Sequence, residues 1–238
     1  MFFKKKEKRH EGKVGGLAFF CSLVFLSLLA PINLLLNLTI LNKDSIFAWI
    51  SFAPCFVLGT LVAHFCIKDH WSVFFHEFKH SFISNLAGNK AKDWDIKKQS
   101  GHFEYSYTKS TAAYNAFISL APYMVPLFSF PVLLISLLLI FDHQIVIVCI
   151  LGVVYGMDCL MNFRDISPIQ TDFTEVRGGF YLGLAYVIAM NLTIFSYYAS
   201  FISNGIQGPK LLTLKLIEIA YSLVVSYKGI PLDQTPLL

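Results

Sequence analysis

The residues best equipped for chemistry stand together at His76-Glu77-Phe78-Lys79-His80. On an α-helix, residues four apart lie one above the other, so both imidazoles can reach one divalent cation at about 2.0–2.1 Å per zinc–nitrogen bond. Glu77 is one position on, turned from the imidazole pair yet close enough to take a proton from activated water and deliver it to a leaving amine. That is the chemistry of amide hydrolysis. With seven His and six Glu in the chain, chance placement would give HExxH about 0.005 times. The plainer reading makes the histidines helix-surface residues at a membrane boundary, with Glu77 and Lys79 snorkelling. Among Phe74, Phe75, Phe78, Phe82 and Ile83 that arrangement is costlier than on a soluble helix.

The pentapeptide is chemically incomplete. A catalytic zinc takes three protein ligands and keeps one open position, and two histidines supply only two. An acidic side chain from elsewhere would also offset the ion's charge where the dielectric is low. Asp158, Asp165 and Asp172 are the acidic candidates downstream.

The elements that must position these groups are apolar. Of 238 residues, 55% are hydrophobic and 14% charged, with a mean hydropathy of +0.60, which excludes a disordered chain and an ordinary soluble domain. An all-α polytopic membrane protein is expected, with about six passes at roughly 20 residues each. The apolar runs are 14–41, 46–67, 71–86, 112–141, 145–163 and 178–202. The run at 71–86 carries the pentapeptide, and ionisable groups at such depth usually line a cavity or bind something. The run at 112–141 is interrupted by Pro122, Pro126 and Pro131, which predicts a broken helix, able to flex as a gate, whose freed carbonyls need partners inside the protein. Between these two runs lies the polar stretch 88–110. There Phe103, Tyr105 and Tyr107 alternate to one side, predicting a short interfacial β-hairpin. Residues 211–225 place Lys215, Glu218 and Ser222 on one face of an interfacial helix.

Four regions follow: a basic N-terminus at 1–13, two transmembrane helices at 14–67, a membrane core at 68–204, and a C-terminal amphipathic helix and tail at 205–238. Lys4, Lys5, Lys6, Lys8, Arg9 and Lys13 put the N-terminus on the cytoplasmic side. The apolar segment directly after them argues against a nucleic-acid arm. If 71–86 crosses fully, Lys90, Lys92, Lys97, Lys98 and Lys109 face the opposite side; if it is re-entrant they join the N-terminus, which charge favours. The five cysteines, Cys21, Cys55, Cys66, Cys149 and Cys159, lack CxxC spacing and read as buried free thiols. The sequons at Asn37 and Asn191 fall in apolar runs and read as chance.

From His76 to Pro122 the sequence resembles the site-2 protease family of intramembrane zinc metalloproteases. HExxH in a transmembrane helix is followed by Gly88, a strand-forming polar segment, and Ile-Ser-Leu-Ala-Pro at 118–122. The likeness continues to Asn162-Phe-Arg-Asp-Ile-Ser-Pro-Ile-Gln-Thr-Asp172, similar to the family's Asn-to-Asp element, and covers roughly residues 70–180. It implies that His76, His80 and Asp172 bind Zn2+, that Glu77 is the catalytic base, and that Asn162 neighbours the substrate or the oxyanion. Relatives usually follow that Asp with Gly, whereas Phe173 stands here, so Asp158 remains the competing third ligand.

The activity implied is hydrolysis of peptide bonds in or near transmembrane segments, with a membrane-protein substrate in the lipid bilayer. Water would enter past 88–110 and 168–172. Two other classes stay open: a protease-like scaffold or assembly factor without catalysis, and an ion-coupled transporter using His76, Glu77 and Asp158. His102 belongs near the site through its strand or on the surface, and His64 and His70 at a boundary.

Overall fold

A computed structural model describes residues 43–98, 100–108, 111, 114–138, 145–174, 176 and 179–227. The basic N-terminus and the 14–41 run therefore lie outside the described residues. Helix α1 (Lys43–Cys66) packs along α5 (Ile145–Arg164), and glycines bring the two backbones together. A Cβ at Gly156 would collide with the carbonyl of Phe56, and Thr60 Oγ1 donates to that same carbonyl at 3.0 Å. Where lipid surrounds the helices no hydrophobic force drives them together, and such close approach supplies the dispersion contacts instead.

Helix α2 (Asp69–Leu86) follows α1 directly. Arg164, at the end of α5, pins this junction by donating to the Ile67 carbonyl at 2.7 Å and to Ser72 Oγ. Gly88, at φ +77°, ends the helix in the left-handed region that glycine adopts without strain. Strands β1 (Lys90–Ile96) and β2 (Gly101–Ser106) then form the expected hairpin, antiparallel with Trp94 opposite Phe103. Trp94 stacks on Phe74 of α2, ring centroids 5.9 Å apart, which ties the hairpin to that helix.

The Pro-rich run breaks as its sequence predicts. Short α3 (Asn115–Leu120) passes into a 3-10 turn (Ala121–Tyr123), and α4 (Ser129–Leu138) starts after an irregular link. Four of the freed groups find partners: Lys79 Nζ donates to the Pro122 carbonyl, Asn191 Nδ2 to the Tyr123 carbonyl, and Asp158 accepts from the amides of Phe128 and Ser129. Both ends of the break are thus hydrogen-bonded to neighbouring helices. After α5 comes a single turn, α6 (Thr171–Thr174), then α7 (Gly179–Asn204) and α8 (Gln207–Tyr227). On α8, Lys215 and Glu218 pair at 2.9 Å and Ser222 bonds the Glu218 carbonyl, one face as expected.

Among the described residues, three helices are long and apolar enough to cross a membrane: Ser45–Cys66, Ile145–Arg164 and Gly179–Asn204. The protein is thus a mostly helical integral membrane protein with a small two-stranded sheet. Among the described residues, two of the runs expected to cross do not form a long apolar helix, for physical reasons. Helix α2 carries Asp69, Glu77 and Lys79, and the 112–141 run is interrupted after Tyr123. The four described cysteines are free but only half-buried or, at Cys66, exposed, which corrects the expectation of buried thiols.

Candidate metal centre

Round α2, at about 100° per residue, the side chains come in the order Lys79, His76, His80, Glu77. The middle two meet Asp172. His76 Nε2 lies 3.1 Å from Asp172 Oδ2, and His80 Nε2 lies 3.6 Å from the same oxygen. Ligand atoms about 2.0–2.2 Å from a shared tetrahedral ion stand about 3.3–3.6 Å apart, so these separations suit one zinc. All three ligand atoms fall within 4.8 Å of one another.

The tautomer of His80 strengthens the fit. Its Nδ1 stands 2.7 Å from the Ile118 carbonyl, which can only accept, so Nδ1 carries the proton. The Nε2 lone pair then points at a carboxylate oxygen, and two such acceptors stay close only with a proton or cation between them. Tyr123 donates its hydroxyl to the same Asp172 oxygen at 2.9 Å, and its ring lies edge-on to His76. Burial pushes the Asp172 carboxyl up, but its contacts with the two histidines outweigh that and hold the group below the ordinary carboxylate range.

Phe173, the departure from the familiar Asp-Gly, is the anchor that places Asp172. Its ring is fully buried, 4.6 Å from that of Tyr123 and 5.3 Å from that of Phe180. Gly183 makes room for it, since a Cβ there would stand 2.9 Å from the ring.

Asp158, the competing third ligand, is engaged elsewhere. Fully buried, it accepts hydrogen bonds from the amides of Phe128 and Ser129 and from Ser129 Oγ, capping the start of α4. It does not join the histidines. Asn162 is also buried, and its amide is taken by Lys79 at 2.7 Å and Asn191 at 3.1 Å; it does not line the cleft, so the structure places it behind the site rather than beside a substrate.

Glu77 completes the group. It is buried, and β2 passes so close that a Cβ at Gly101 would stand 2.6 Å from its carboxylate oxygen. With His76, His80 and Asp172 it opens on a cleft of about 1700 Å³. One wall is β2 and the residues around it, another the stretch from Arg164 to Val176, so both polar segments expected to admit water border it. His102 lines this cleft half-exposed, 3.2 Å from Glu104, and His64 and His70 are exposed.

Sequence reasoning missed three polar neighbours. Lys79 was an ionisable group in an apolar run, but nothing in the spacing showed that it turns inward. Asn191 registered only as a chance sequon, and Tyr123 carried no signal.

Three helices fit for a membrane and a His-His-Asp cluster beside a buried Glu are the parts that a membrane metallopeptidase needs. The chain belongs to the Peptidase M50B-like family, whose model matches residues 47–204. That is the site-2 protease kinship its motifs imply, a family of zinc metalloproteases. No curated protein and no solved structure matches the chain.

Proposed function

We propose that this protein is an intramembrane zinc metalloprotease that hydrolyses peptide bonds in or near transmembrane segments of other membrane proteins. One observation carries the reading: His76 Nε2, His80 Nε2 and Asp172 Oδ2 converge at separations suited to one ion, beside a buried Glu77, on a cleft of about 1700 Å³. Zinc bound there would supply Lewis acidity, polarising the scissile carbonyl and making water nucleophilic near neutral pH. Glu77 is the base that takes the proton from water and returns it to the amine as the C–N bond breaks. Burial among Val73 and the hairpin fixes its carboxylate against one side of the cleft. Asp172 is the third ligand, its Oδ2 facing both imidazoles. A substrate helix must unwind to expose its carbonyl, since a helical amide is shielded by its own hydrogen bonds. In this reading the full chain makes about six passes, the 14–41 run, α2 and the broken 112–141 run adding to the three long helices, with the N-terminus cytoplasmic.

Glu77→Gln tests the reading. In purified full-length protein it should keep stoichiometric zinc and lose cleavage of a reconstituted transmembrane substrate by at least about a hundredfold, the lower end of what a general base contributes. Cleavage at the wild-type rate by that variant would refute the assignment.

A further inference from the structure

Behind the three candidate ligands lies a second, fully buried polar cluster that plays no part in the proposed chemistry. Lys79 is only 1% exposed. Its ammonium donates to the Pro122 carbonyl at 3.2 Å and to Asn162 Oδ1 at 2.7 Å. Asn162 passes the contact to Asn191 Oδ1 at 3.1 Å, and Asn191 Nδ2 donates to the carbonyls of Tyr123 at 2.8 Å and Val187 at 2.9 Å. The carbonyls on either side of Tyr123's backbone are therefore gripped, one from α2 and one from α7. They are the last carbonyls of a helical segment, which has no partners of its own for them and which favours a cation at that end.

The residue so fixed is the one that reaches Asp172. Tyr123 bonds the oxygen facing both histidines, so any slip of the 121–123 turn moves a donor directly behind the candidate third ligand. A buried ammonium is expensive to desolvate, and two acceptors at hydrogen-bond distance are what make it tolerable here. A purely apolar contact would fill the same space without fixing the direction of the turn.

We propose that Lys79 is a positioning residue for the metal site: from the face of α2 adjoining His76 it sets the 121–123 turn, and through the Tyr123 hydroxyl it holds Asp172 in place to bind a divalent cation. The claim rests on the metal site proposed above and extends it to residues that touch neither ion nor substrate. Partners of metal ligands typically change affinity ten- to a hundredfold when lost. Because Lys79 acts through Tyr123, its loss should matter only while that hydroxyl is present.

Cobalt(II) titration of the full-length protein in detergent, followed by visible absorption, tests this. Wild type should bind one cobalt with the intense bands of a four-coordinate site. Lys79→Met and Tyr123→Phe should each weaken binding ten- to a hundredfold and shift those bands, and the double variant should be no weaker than the weaker single. Wild-type affinity and spectrum in a folded Lys79→Met would overturn the positioning role, as would losses that multiply in the double variant. Should Lys79→Met fail to fold, Tyr123→Phe decides alone: unchanged affinity and bands mean the route to Asp172 does not exist, and weakened, shifted binding supports it. No cobalt bound by wild type would instead overturn the metal site itself, and the positioning role with it.

Discussion

Truncating Phe173 to Ala should loosen the candidate third ligand without unfolding the bundle. Asp172 sits on α6, a helix of four residues, too short to be stable by itself. Ordering four residues costs about 4–8 kcal/mol of backbone entropy. The fully buried Phe173 ring opposes that cost, and removing such a ring costs about 3–5 kcal/mol. The ring offsets a large part of that entropy, so its loss moves α6 into a mainly open state. Apparent metal affinity falls by the fraction still closed, which puts it about ten- to a hundredfold below wild type. Cobalt titration with far-UV circular dichroism measures both halves of the claim: affinity should drop while helix content stays constant, and Phe173→Leu should recover most of the loss. Wild-type affinity in a folded Phe173→Ala would refute the reasoning, because Asp172 would then be held by something other than this ring or would not bind the ion.

Two further outcomes separate the site from its surroundings. Gly101→Ala introduces a methyl 2.6 Å from the Glu77 carboxylate and from Val73, so turnover of a reconstituted substrate should fall at least tenfold while zinc content is unchanged. Equal loss of zinc would show that β2 supports the ligands rather than the base. Asp158→Asn replaces an acceptor of three donors by a group that also presents N–H to them, and should lower stability in detergent by about 3 kcal/mol with cobalt affinity unaltered. A drop in affinity without loss of stability would return Asp158 to the ligand set.

Local pattern was enough wherever the information is local. HExxH spacing places two imidazoles on one helical face whatever surrounds them, and the alternating aromatics before Tyr107 fold into the hairpin because strand periodicity is a nearest-neighbour property. The three prolines required a broken helix for the same reason. Composition required a membrane protein, since apolar runs of that length have no other stable place.

Tertiary structure decided what depends on direction. Asp158 and Asp172 are both carboxylates downstream of the motif, and only the packing of Phe173 against Tyr123 and Phe180 turns one toward the histidines, while α4's unpaired amides claim the other. Lys79 lies one residue from His80, yet which way it faces depends on the acceptors that α5 and the 121–123 turn place behind α2. Asn162 matched a family element by position, but its amide is consumed by Lys79 and Asn191. Residue spacing fixes which face of a helix a side chain occupies; which neighbour meets that face is fixed by how the helices pack, and no single segment of the chain contains that information.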